Sequence, residues 1–109
     1  MTFSVSASLL DALVLSVVGR EDTYGYRITQ DVRTAIELSE STLYPVLRRL
    51  QKDACLTAYD QEYLGRNRRY YTITDKGKHN LSLLLEEWKL YKERIDNVFE
   101  GGISGEQRA

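Results

Sequence analysis

Few of the residues that build metal, redox or covalent sites occur in this chain. Its 109 residues include one cysteine, one methionine, one tryptophan, one proline and one histidine. A single cysteine, Cys55, excludes an intrachain disulfide and fits a reducing compartment, so a cytoplasmic protein is expected. Cys55 opens an expected strand and reads as a small buried apolar residue. His79, with one distant cysteine, makes no zinc set. There is no phosphate-cradling glycine loop and no serine–histidine–acid arrangement in supporting context, so neither enzymatic activity nor a cofactor is expected. No apolar run approaches the ~18 residues of a membrane helix. The opening Met1-Thr2-Phe3-Ser4-Val5 lacks the basic and long apolar regions of a signal peptide. The size suits one modest domain.

What is present is charge in an uneven place. The formal net charge is −1. Residues 41–78 nevertheless hold Arg48, Arg49, Lys52, Arg66, Arg68, Arg69, Lys76 and Lys78 against Asp53, Asp60, Glu62 and Asp75. Eight against four is +4, leaving −5 for the rest. Positive charge gathered in one stretch of a near-neutral chain points to a polyanionic partner.

The apolar spacing supplies the elements. Leu9, Leu10, Leu13, Val14 and Val17 predict a one-sided helix over 8–18, closed by Gly19 and the polar residues after it. Ile28, Val32 and Ile36 predict a second over 24–35. In it, Gly25 signals a close approach to another helix or to a phosphate. Ser39 is an expected N-cap for a third helix over 40–52, whose buried stripe is Leu43, Val46, Leu47 and Leu50. Pro45 confines itself to the N-terminal part of that helix. Residues 55–63 and 69–74 read as the strands of a hairpin, with Leu64-Gly65-Arg66-Asn67-Arg68 as its loop. Thr74 caps a last helix, with Asp75 in its first turn. On that helix Leu81, Leu84, Trp88, Tyr91, Ile95 and Val98 recur at steps of three and four as a heptad seam. The seam exceeds what one small domain needs, which predicts a two-fold dimer using these residues together with Leu9.

The fold expected is mainly α with a small β-hairpin: a winged helix-turn-helix plus one long C-terminal dimerisation helix. A third helix can enter the major groove of double-stranded DNA. Arg48 and Arg49 would then meet phosphates or guanine edges, and Ser41, Thr42 and Tyr44 would meet base edges or adjacent phosphates. Arg66, Arg68 and Arg69 would follow the backbone or the minor groove. Tyr70 and Tyr71 face opposite ways, so one packs inside while the other is free to reach a phosphate.

Three segments carry a family resemblance: Tyr24-Gly25-Tyr26, then Ser41-Thr42-Leu43-Tyr44-Pro45-Val46-Leu47-Arg48-Arg49-Leu50, then Gly65-Arg66-Asn67-Arg68-Arg69-Tyr70-Tyr71-Thr72-Ile73-Thr74-Asp75-Lys76-Gly77. In this order they resemble the PadR family of bacterial transcriptional regulators, in its compact branch with a single C-terminal helix. The resemblance implies a homodimeric repressor at an operator. It divides the chain into a DNA-binding domain over 1–74, a dimerisation helix over 75–100 and a flexible tail over 101–109. With it, the expected DNA-contacting set is Tyr24, Ser41, Thr42, Tyr44, Arg48, Arg49, Arg66, Asn67, Arg68, Arg69 and Tyr71. Two departures stand out: Ser41 where the family often has glycine, and Ala54-Cys55 where it often has glycine and an aliphatic residue.

Trp88 adds a sensing role. Near a two-fold axis it meets its own copy, and paired indoles stack flat aromatics. Similarity to multidrug-sensing members of the compact branch places Ala12, Ser16, Leu85 and Lys92 around it as effector-binding residues. The partners expected are therefore operator DNA, a second copy and a planar aromatic effector, with no membrane. Two other classes compete: a winged-helix protein-interaction module that leaves DNA alone, and a small-molecule binding protein centred on Trp88.

Overall fold

A computed structural model of the chain describes residues 2–101. The order is α1 (Ala7–Arg20), β1 (Thr23–Tyr24), α2 (Gly25–Val32), α3 (Glu40–Lys52), β2 (Leu56–Tyr63), β3 (Arg66–Ile73) and α4 (Asp75–Phe99). The strands form an antiparallel sheet in the order β1-β3-β2. The expected winged helix with its long last helix is therefore present. All but Gly101 of the expected tail lies outside the described residues.

Local chemistry explains most boundaries. Ser39 accepts from the amide of Thr42 at 3.2 Å and Thr74 from that of Gly77 at 3.0 Å, so both expected caps are made. Ser6 does the same for α1 through Leu9. α2 is shorter than its apolar spacing predicts. Thr34 bonds the carbonyl of Asp31 through both its hydroxyl and its amide, and that turn competes with further helix. Ile36 still packs on the core from beyond the helix end.

Two expectations about the sheet are corrected. It has a third strand: Thr23 and Tyr24 pair with Tyr71 and Tyr70, so Tyr24 is a strand residue and not the start of α2. Two residues are too few to show a period. The hairpin loop is also only two residues, Leu64 and Gly65, with φ of +52° and +78°. Two positive φ values in a two-residue connection match the hairpin turn whose twist suits its strands, and Gly65 takes its share without steric cost. Arg66, Asn67 and Arg68 consequently belong to β3.

The core joins all these elements. Val14, Leu15 and Val18 of α1 meet Ile28 and Val32 of α2, Leu43, Leu47 and Leu50 of α3, and Leu56 of β2. Cys55 is buried among them as expected, its sulfur accepting from Asn80 of α4 at 3.2 Å. Only the first part of α4 takes part, through Leu81 and Leu84. α4 is also tied to the end of α3: the Thr74 hydroxyl donates to the Ala54 carbonyl at 2.6 Å, and Lys76 donates to that of Asp53 at 2.7 Å.

A candidate nucleic-acid interface

The outer side of α3 and the inner edge of the wing enclose an open groove of about 630 Å³. From α3 it is lined by Tyr44, Arg48 and Gln51, from β1 by Tyr24, from the start of α2 by Gly25 and Tyr26, and from the hairpin by Tyr63, Leu64, Arg66, Asn67, Arg68, Arg69 and Tyr71. Arg48 of α3 thus shares one concavity with Arg66, Arg68 and Arg69 of β3. A Cβ on Gly25 would stand 2.6 Å from the hydroxyl of Tyr44, so a larger residue there would displace that ring. The close approach is therefore to a side chain of α3, whose ring occupies the space a Cβ would take.

Not every expected contact residue faces this groove. Arg49 lies about 100° round the helix from Arg48 and turns to α1, where it bonds and pairs with Asp11. That hydrogen bond to Asp11 raises the guanidinium pKa, and Asp53 at 4.0 Å adds to it. Ser41 and Thr42 are exposed at the N-terminus of α3, outside the groove lining, with both hydroxyls 3.0 Å from that of Ser39. Of the two adjacent tyrosines, Tyr71 is the inward one. It is 5% exposed and packs in the core, so its ring serves the wing's attachment. Burial raises its pKa, while Arg69 acts in the opposite direction.

Strand alternation puts a second set of residues on the outer face of the sheet. Tyr59, Tyr70 and Tyr24 lie in one row across the three strands. Tyr59 stacks on Tyr70 at 5.7 Å between ring centroids, and Tyr70 meets Tyr24 edge-on at 5.6 Å. The Tyr59 hydroxyl donates to Asp22 at 2.8 Å, and that bond raises its pKa. Beside the row, the Arg68 guanidinium lies 3.9 Å from the Tyr24 ring centroid and 3.7 Å from that of Tyr63. Arg69, on the opposite face, sits 3.5 Å from Asp60, its cross-strand partner. Arg66 is exposed beside the turn. Tyr26, Gln51 and Tyr63 line the groove but lie outside the contact set expected from sequence. The period-two spacing of Tyr59, Tyr63, Arg68 and Tyr70 about a two-residue turn was the signal available for the sheet face.

A second groove, about 520 Å³, separates the N-terminal end of α1 from α4. Trp88, Tyr91, Leu84, Leu9 and Ala12 line it with Glu87 and Arg94. Of the residues expected around an effector, Trp88 and Ala12 are in this lining, whereas Ser16, Leu85 and Lys92 are not. The heptad seam divides in two. Leu81 and Leu84 pack on the protein's own core, while Trp88, Tyr91 and Val98 are 41%, 61% and 67% exposed. No group of three or more potential metal ligands occurs among the described residues, and no helix there is long and apolar enough to cross a membrane.

Comparison with known proteins gives a concordant picture. Residues 14–83 match the family described as "Transcriptional regulator PadR-like family". The crystal structure of smu.1704 from Streptococcus mutans UA159 superimposes with a TM-score of 0.86 at 44% identity, covering 93% of this chain and 95% of that one. Transcriptional regulator Rv3488 of Mycobacterium tuberculosis is 30% identical over 89 residues, covering 81% of this chain and 80% of that protein. Bacillus subtilis PadR, crystallised in complex with operator DNA, shares the fold with a TM-score of 0.65 at 24% identity, covering 71% of this chain and 45% of that one.

Proposed function

We propose, from the premise that this chain belongs to the PadR-like family of transcriptional regulators, that it binds operator DNA as a homodimer and represses transcription until a planar aromatic effector releases it. The observation that carries the DNA-binding reading is the convergence of Arg48 from α3 with Arg66 and Arg69 from the wing on one groove. Guanidinium groups are suited to phosphate and guanine because their flat fork donates in pairs. Tyr44, beside Gly25, stands at the same groove as a hydroxyl donor. The complex of Bacillus subtilis PadR with operator DNA supports this use of the fold.

The uncovered part of α4 is the proposed dimerisation surface, with 75–100 serving that role and 1–74 serving DNA. Trp88, Tyr91, Ile95 and Val98 form an apolar strip that a second copy of the helix would cover. The groove beside Trp88 is the proposed effector site, where an aromatic would stack on the indole.

Selection from a pool of randomised 30-bp duplexes tests the DNA reading. Full-length protein should enrich a pseudo-palindrome whose half-site centres lie about one helical turn apart. An unenriched pool after successive rounds would refute the DNA-binding reading and favour the protein-interaction alternative.

A further inference from the structure

The wing is long for its support. β1 pairs with β3 only at Thr23–Tyr71 and Tyr24–Tyr70. Beyond Tyr70, residues 66–69 of β3 have a strand neighbour on one side alone. A two-stranded ribbon is marginal in water, so the outer half of the wing needs another attachment to hold one angle. The register provides it. Arg68 is opposite Gln61, which places Tyr63 diagonally from it on one side, and Tyr24 lies diagonally on the other through the Tyr24–Tyr70 pair. The three side chains therefore share the outer face, and the guanidinium meets both rings, at 3.9 and 3.7 Å from their centroids.

We infer that Arg68 is a positioning residue: clamped between Tyr24 and Tyr63, it fastens the outer wing to β1 and so sets the wing's angle to α3. The guanidinium carbon lies over two rings at once, and Arg68 is half-buried, unlike exposed Arg66 and Arg69. Its flatness is what the site uses, since a lysine ammonium has no plane to stack. Tyr24 immediately precedes Gly25, whose missing Cβ leaves room for the Tyr44 ring of α3, so the clamp attaches the wing beside a contact with the reading helix. The consequence for DNA rests on the function proposed above; the clamp itself does not.

Amide hydrogen exchange and DNA titration of the full-length protein test this together. Arg68→Gln and Tyr63→Leu should each speed exchange at the outer wing amides by about two- to five-fold, with a double variant no faster, while Tyr63→Phe stays at the wild-type rate. On the duplex enriched above, both single variants should weaken binding several-fold without changing its salt dependence. Unchanged exchange in Arg68→Gln and Tyr63→Leu would overturn the clamp. So would a fall of about 0.9 in the salt slope for Arg68→Gln alone, since that marks a lost phosphate contact. If the wild type enriches no duplex, the DNA reading fails, and the exchange rates still decide the clamp.

Discussion

Ala54 stands where α3 reverses into the wing, with φ of +64°. The Cys55 amide reaches back to Leu50 and the Ala54 amide to Gln51, the paired bonds that finish a helix through a left-handed residue. An alanine there is strained, so Ala54→Gly should raise stability by about 1 kcal/mol, a rise of some 4–8 °C in thermal midpoint for a domain of this size. An unchanged or lower midpoint would show that the turn relaxes around alanine. At this scale the sequence was legible where chemistry is local. The hydroxyls of Ser39 and Thr74 cap what immediately follows them, and Cys55 is as buried as its context implied. The direction of Arg49 was not legible, because its partner Asp11 is 38 residues away. Nor did alternation alone tell which of Tyr70 and Tyr71 packs inward.

Among the elements, α3 was predicted with its observed limits because a cap, an apolar stripe and a terminating turn agree. β1 and the outer end of β3, Arg66 to Arg68, were not: a two-residue strand exists only through its pairing with β3, and the three residues beside Gly65 read as loop. α3 itself presents two faces. Arg48 lines the groove beside the wing, while Arg49 braces the helix against α1. Their alanine variants should therefore separate. Arg48→Ala should weaken DNA binding and flatten its salt dependence. Arg49→Ala should leave that dependence intact and lower stability by no more than about 1 kcal/mol, because the pair is partly exposed. Parallel titrations and melts of the two variants distinguish these roles; equal losses of slope would place Arg49 on DNA as well.

The described chain is elongated, 68 × 29 × 20 Å, because α4 extends well past the body it starts from. The heptad spacing was legible in the sequence, but its division was not: only the fold reveals that Leu81 and Leu84 are already used internally. For the remainder, Ile95→Lys should convert the proposed dimer to monomer in sedimentation and make the thermal midpoint independent of protein concentration. Persistence of the dimer would move the interface elsewhere. The central claim, that the groove between α3 and the wing holds DNA phosphates, is tested most directly by the slope of log binding constant against log salt concentration. With Arg48, Arg66 and Arg69 of each copy in the proposed dimer on phosphates and Arg68 held in its clamp, the wild-type slope should be near −5, and Arg48→Ala, Arg66→Ala and Arg69→Ala combined should bring it close to zero. A triple variant that keeps the wild-type slope would contradict the account.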